Sequence, residues 1–300
     1  MNSTPSFVHR CSISRASRLA ALAFAIVSLS VSQLQGQTFH TFIGANGSDW
    51  FDPANWGDGV PQSDGVVFLQ GKNATVASPG AEGLQISIYD AGSLTVLSGG
   101  TGTTDSVSLR TTGSFVVSGQ TASWTTEYLS LNGDNNITHV TISNGGSLSV
   151  EQASLGDGYS INPAYHGHIV VTGEDSTFHD TATSGQWGLL IGSGRYGFPG
   201  EGSGSLTISD GASATNSTVA VGYWGQGSVL VTGAQSSWTA GSVYLGYNAG
   251  SSGELVVEQG ATATINYLDF GPAGASGNNP IGYGTIVVQG IGSHLDLGSY

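Results

Sequence analysis

The chain has 300 residues, including 48 glycines, and only 9% of its residues are charged. Hydrophobic residues make up 38%, too many for a disordered chain. The formal net charge of −14 argues against nucleic-acid partners, whose binding depends on Lys and Arg. Abundant Gly, Ser and Thr with short Val, Ile and Leu runs predict many short strands joined by tight turns.

The N-terminus has the features of a signal peptide. Arg10, Arg15 and Arg18 precede an apolar run at residues 19–31, which is too short to span a bilayer. We therefore predict a signal peptide at 1–32 and an exported protein, at the cell surface, in the outer membrane or extracellular. Three of the six basic residues and the only cysteine, Cys11, lie in this segment. The mature charge would be 3 − 20 = −17, and the mature chain would have no disulfide.

Residues 37–82 form a first region with a Trp/Pro motif. Trp50 and Trp56 lie six residues apart, with Pro53 and Asn55 between them. One interpretation is an aromatic patch that stacks on sugars. The other, which we favour, is a cap that covers the end of a repeat array, because terminal repeats must close an open core.

From residue 84 two types of repeat unit alternate, each built on an apolar triplet. The first type has a member at 84–88 and then VTI at 140–142, LTI at 206–208 and LVV at 255–257. The second type has FVV at 115–117, IVV at 169–171, VLV at 229–231 and IVV at 286–288. A glycine follows each triplet of the second type, and then a large residue: Trp124, Phe178, Trp238 and Leu295.

This pattern predicts an all-β fold, a right-handed parallel β-helix over 83–300, because units of this length indicate solenoids. The first and third residues of each triplet should face the core. The middle residue is often apolar too, which predicts strands covered on both faces. Asn-Gly and Asp-Gly pairs should supply the positive φ of the corners. Extra residues at 156–167 and 192–204 should form loops.

The repeats resemble a known family at this point. The motif GSVLVTGAQSSW at 227–238, VYLGY at 243–247 and GSLTISDGA at 204–212 are similar to the repeats of autotransporter (type V secretion) passengers and PEP-CTERM-associated surface proteins. The resemblance implies a parallel β-helix displayed at a bacterial cell surface, without catalytic residues. The chain departs from the family because it has neither the sorting signal nor a membrane barrel before Tyr300. The last unit lacks a closing strand, so end-to-end self-association or a longer natural chain is expected.

Candidate chemistry is sparse, and we predict no catalytic, cofactor-binding or metal-binding residues. His166 and His168 would share one face of a strand, but no third metal ligand is identifiable. Oxygen ligands for Ca²⁺ could come from Asp134, Asn135, Asn136 and Asp157, which corner turns explain better. The serines at 202–205 lack the strand-to-helix context of a nucleophile elbow.

Two functions remain open. The first is a non-catalytic surface or adhesive protein that contacts surface glycans or other cells, and it includes low-affinity glycan binding through exposed Tyr and Trp. The alternative is a carbohydrate-active β-helix enzyme, a polysaccharide lyase or a glycosidase. A lyase needs cations to hold a uronate, yet Lys72, Arg110 and Arg195 are far apart in sequence and the net charge repels polyanions. A glycosidase needs two facing carboxylates, which the sequence cannot place.

Overall fold

A computed structural model describes residues 37–134, 136–157, 165–183, 186–194, 202–271 and 282–298. Within these ranges the chain is β-strand and loop, apart from a 3-10 helix at Pro53–Asn55, which confirms the all-β prediction. Over the same residues, helices with the length and hydropathy needed to cross a membrane are absent. The predicted signal peptide lies outside the described residues.

The strands form two parallel ladders, and successive strands of each ladder come from successive repeat units. Ladder I contains β1 (Thr38–Thr41), β3 (Gly65–Gln70), β5 (Ala81–Tyr89), β7 (Thr101–Arg110), β9 (Ser123–Asp134), β11 (Ser147–Leu155), β13 (Thr177–Asp180), β14 (Leu189–Ile191), β16 (Ser213–Val221), β18 (Ser237–Leu245), β20 (Thr262–Phe270) and β22 (His294–Leu297). Ladder II contains β2 (Ser48–Asp49), β4 (Asn73–Val76), β6 (Ser93–Val96), β8 (Ser114–Ser118), β10 (Ile137–Ser143), β12 (Tyr165–Thr172), β15 (Ser203–Ser209), β17 (Gln226–Thr232), β19 (Ser252–Glu258) and β21 (Tyr283–Gln289). The pairings between these strands are parallel except for two residue pairs between β9 and β12, and one isolated antiparallel bridge joins Phe42 to Trp56.

The apolar triplets of ladder II stack in register, as predicted. Val229 pairs with Leu206 on one side and Leu255 on the other, and all three are fully buried. The middle residues differ from the prediction: Leu230 and its counterparts are only partly buried. The strands are therefore covered on one face, and the outer face carries a row of partly exposed Thr, Val and Leu side chains.

The structure corrects the assignment of the first unit. Residues 84–88 lie in β5 of ladder I, where they pair with β3 and β7. The equivalent of the later triplets is Leu94-Thr95-Val96 in β6, which pairs with Phe115-Val116-Val117. The two types of triplet thus alternate along one ladder. The error arose because strands of both ladders show the same period of two.

The large residues of ladder I form one buried row. Trp124, Leu148, Phe178, Ala214, Trp238 and Ala263 follow one another in register. Trp124, Phe178 and Trp238 are each 1% exposed, so this row lies within the core. A small or aliphatic residue separates successive aromatic rings, which therefore do not stack on one another.

Turns with positive φ connect the ladders. Asn144 and Gly145 have φ of 54° and 82°, and Asp210 and Gly211 have 56° and 85°, which confirms the prediction for these pairs. A serine of the following unit supports each turn: Gly145 N–H donates to Ser176 Oγ at 3.1 Å, and Gly211 N–H donates to Ser236 Oγ at 3.0 Å. Ser236 is 1% exposed, so this bond is made inside the protein. The predicted loops at 156–167 and 192–204 lie largely outside the described residues.

The N-terminal region continues both ladders. β1 pairs with β3, and β2 pairs with β4. Trp50 and Trp56 are 0% and 4% exposed, with ring centroids 4.8 Å apart in an edge-to-face contact, and the Trp56 indole N–H donates to the Trp50 carbonyl. Both rings belong to the core, which leaves no sugar-stacking surface on them. The capping role itself remains a prediction.

Candidate functional site

The most distinctive surface feature is a group of aromatic side chains beside ladder I. We call Trp187, Tyr223, Trp224, Tyr244, Tyr247 and Tyr267 the aromatic cluster. The Trp187 ring centroid lies 5.6, 5.4 and 5.0 Å from those of Tyr223, Tyr244 and Tyr247. Each member is at least partly exposed, and Tyr267 is 39% exposed. A concentration of partly exposed rings outside the core is a candidate binding surface.

Successive strands of ladder I position the cluster. Trp187 lies just before β14, Tyr223 and Trp224 follow β16, Tyr244 and Tyr247 lie in and after β18, and Tyr267 lies in β20. The chain leaves β16 and β18 through glycines with positive φ, Gly222 at 75° and Gly246 at 65°. An added Cβ at either position would lie 2.1 to 2.4 Å from a backbone oxygen of the next unit. Glycine is therefore required at both turns.

The two equivalent turns stack their tyrosines on each other. The Tyr247 N–H donates to the Gly222 carbonyl at 2.9 Å, and the Asn248 amide donates to the Tyr223 carbonyl. These bonds hold the turns in register, with the rings of Tyr223 and Tyr247 5.4 Å apart and 19° from parallel. Burial first, and the neighbouring Tyr247 second, raise the pKa of the Tyr223 phenol above its usual value.

A carboxylate lies at one end of the cluster. The Tyr267 hydroxyl donates to Asp269 Oδ2 at 3.2 Å, and Tyr244 is the register partner of Asp269 in the preceding strand. Ring contacts continue from Tyr244 to Tyr267, whose centroids are 5.8 Å apart. The cluster therefore combines a series of rings with phenol hydroxyls and one acceptor carboxylate.

The structure adds a third histidine to the predicted pair. His139 of β10 is the register partner of His168 of β12, and their ring centroids are 5.6 Å apart. Burial, then His139 and then His166, lower the pKa of His168. The sequence did not reveal His139 because it lies 29 residues before its partner. Among the described residues, no group of three or more His, Cys, Asp or Glu is placed to hold a metal ion.

A shallow groove of about 440 Å³ lies on the outer face of ladder II. It is lined by His168, Ser203, Ser205 and Glu254, among others. Ser203 also contacts His166, whose Nδ1 lies within hydrogen-bonding distance of its hydroxyl. Ser203 lies in strand β15 rather than at a turn into a helix, so it is not in a nucleophile elbow. The backbone N–H groups around it belong to the parallel ladder and are poor candidates for an oxyanion hole.

A second groove, of about 310 Å³, contains three carboxylates of ladder I. Asp105, Glu127 and Glu151 come from the adjacent strands β7, β9 and β11 and line the groove with several threonines. A groove lined by several carboxylates is a feature that a glycosidase active site would also have. All three are on one ladder and so stand beside one another along one wall, rather than facing each other across a cleft.

The remaining sequence candidates are not brought together. Lys72 lies just before β4 of ladder II, and Arg110 ends β7 of ladder I, while Arg195 lies outside the described residues. Of the proposed calcium ligands, Asn136 and Asp157 are described, but Asn135 and the side chain of Asp134 are not. Sequence reasoning missed the aromatic cluster, for which the only signal was the Gly-Tyr ending of two units.

Comparisons with known proteins identify no relative. No protein-family model matches the chain. No curated protein and no solved structure matches it either.

Proposed function

We propose that the chain is an exported, non-catalytic surface protein, folded as a right-handed parallel β-helix and similar to an autotransporter passenger, that mediates contact with surfaces or other cells. The aromatic cluster is the observation that carries this proposal. It presents six partly exposed rings that do not belong to the buried rows of the core.

The ladders support the β-helical part of the proposal. Each repeat unit contributes a strand to each ladder, and each strand pairs in parallel with its equivalents in the units before and after. Inward rows such as Leu206, Val229 and Leu255 run through consecutive units. A coil that rises by one strand spacing per turn produces this pattern. The right-handed sense follows from the preference of parallel crossover connections.

The outer surface supports the contact role. Serine and threonine occupy many outward positions of both ladders, as in Ser205 and Ser228 of ladder II. Such a face offers hydroxyl groups over a large area, and the acidic mature charge favours solubility. Contact with a surface needs area and many weak interactions rather than one precise constellation.

Binding by the purified chain to immobilised bacterial and host cells tests this function. We expect saturable retention that falls when Trp187 and Tyr247 are both changed to alanine. Retention equal to that of an unrelated acidic protein of the same size would contradict a contact role.

The competing proposal is a glycosidase that uses the acidic groove. The observation in its favour is that Asp105, Glu127 and Glu151 line one groove. A screen of neutral and acidic polysaccharides, with detection of new reducing ends and of unsaturated products, tests it. Turnover that Glu127→Gln abolishes, while Glu254→Gln in the other groove leaves it intact, would favour the enzyme over the surface protein.

A further inference from the structure

We propose that the aromatic cluster is a binding site for a neutral polysaccharide, along which several consecutive sugar rings lie. This inference rests on the proposed function and names the chemistry of the partner. It draws on the placement of the rings, their polar neighbours and the charge of the chain.

The cluster is extended along the stack of strands. Its members lie in or beside four successive strands of ladder I, β14, β16, β18 and β20. Three strand spacings correspond to about 14 Å along the ladder, and the ring centroids of Trp187, Tyr244 and Tyr267, at successive distances of 5.4 and 5.8 Å, cover most of that length. An unbroken series of ring contacts follows this direction from Trp187 through Tyr244 to Tyr267. A linear ligand with a repeating unit fits such a row better than a single compact molecule does.

The chemistry of the cluster matches a pyranose chain. A sugar ring offers apolar C–H groups on its faces and hydroxyl groups at its edge. Tyr and Trp combine an apolar ring with a polar tip, and binding sites of this kind use aromatic walls with a few placed polar groups. Here the phenol hydroxyls and the Asp269 carboxylate, already bonded to Tyr267, are the groups that would hydrogen-bond the sugar hydroxyls.

Charge selects a neutral chain over an acidic one. The chain has 20 acidic and six basic residues, and a carboxylate stands at the cluster itself. A polyuronate or sulfated glycan would be repelled. A positively charged quaternary ammonium ligand would not be repelled, but it binds where aromatic rings surround a single cation. Tyr223 and Tyr247 instead stack on each other at 5.4 Å, which leaves no space for a cation between them.

Contacts within the protein hold the rings in place. Trp187 contacts three tyrosines, and backbone hydrogen bonds fix the turns that carry Tyr223 and Tyr247. Ala220 lies in register between Leu190 and Tyr244 and is 0% exposed, so neighbouring side chains already cover it. A prearranged surface reduces the entropy lost on binding.

Affinity electrophoresis of the purified chain tests the proposal, in gels that contain hydroxyethyl cellulose, dextran or galactomannan. We expect at least one of these neutral polysaccharides to retard the chain. Trp187→Ala and Tyr247→Ala should each weaken the association constant by about tenfold, since a difference of roughly 1.4 kcal/mol, the scale of one aromatic contact, is a factor of ten. Tyr89→Ala is the matched control, because Tyr89 is a partly exposed tyrosine at the end of β5, four strands before β14 in ladder I.

Tyr247→Phe keeps the aromatic ring, so it should retain most of the binding. It serves as the control for a folding defect in Tyr247→Ala.

The proposal is overturned if no neutral polysaccharide retards the chain, or if the alanine variants bind like the unchanged protein. It is also overturned if polygalacturonate binds as strongly as the neutral chains, or if tetramethylammonium is bound at the cluster in their place. If cells retain the protein but no polysaccharide binds it, this inference is wrong and the contact function is unaffected. If cells do not retain the unchanged protein, the contact function itself is wrong.

Discussion

Replacing Trp238 by alanine should destabilise the protein strongly. The indole is 1% exposed, and its register partners are Ala214 and Ala263. Because both neighbours are alanines, no large side chain of the row can move in to fill the cavity. Truncation of a buried tryptophan costs about 3–5 kcal/mol, and this site belongs at the upper end of that range.

The change also removes a buried hydrogen bond. The Trp238 indole N–H donates to Asn216 Oδ1 at 2.8 Å, and Asn216 is 3% exposed. Its oxygen would lose that partner at a cost of about 1–3 kcal/mol. Trp238→Phe keeps most of the ring and isolates this contribution, so its loss should be near that smaller value. Asn216→Ala combined with Trp238→Phe should cost less than the sum of the two single changes.

Calorimetry and chemical denaturation measure these effects. For a protein of this size, a loss of 4 kcal/mol lowers the melting temperature by about 8–16 °C. A melting temperature for Trp238→Ala within about 2 °C of the unchanged protein would refute the placement of the indole in the core. Equal losses for the alanine and phenylalanine variants would show that the missing hydrogen bond, and not the cavity, causes most of the destabilisation.

Three further outcomes are expected. Gly102→Ala should destabilise the protein by about 1–3 kcal/mol, because a Cβ there would lie 2.1 Å from the Trp124 ring. Chemical denaturation of the variant measures this loss. Adding Trp124→Leu to the same variant should restore part of the lost stability. Ser236→Ala should cost about 1–3 kcal/mol by leaving the Gly211 N–H unpaired, whereas an unchanged denaturation midpoint would count against that turn. Since burial lowers the folded-state pKa of His168 from its ordinary 6.5, the unfolded chain binds more protons. Stability should therefore fall as the pH drops below about 6.5, and melting curves at pH 7.5 and 5.5 should differ less for His168→Ser.

Short-range features of the fold could be predicted from the sequence. The triplet Val229-Leu230-Val231 and the pair Asp210-Gly211 indicate a strand and a turn through alternation and backbone preference, which act within a few residues. The assignment of residues 84–88 failed because alternation identifies a strand without telling which ladder it joins. Register decides that, and it depends on pairing between distant residues.

The candidate site was beyond prediction for the same reason. Trp187 and Tyr247 are 60 residues apart in the sequence and meet only because β14, β16 and β18 are stacked in order. Unit lengths vary, with the buried residues Val171 and Ile208 separated by 37 positions and Ile208 and Val231 by 23. Without a fixed period, the sequence alone cannot align side chains that project from loops.

Large and small side chains alternate around Trp238 in the buried row of ladder I, and this alternation fixes the order of the repeats. Deleting one complete unit, β15 with β16, would remove Ala214 and bring Phe178 directly against Trp238. Two large rings would then compete for a space that now holds one ring and a methyl group. Units of similar sequence therefore cannot replace one another. A duplicated unit would fit the core only if the side chain that it places in the buried row had changed in size. The repeats are similar in sequence, but the sizes of their core residues determine the order in which they can stack.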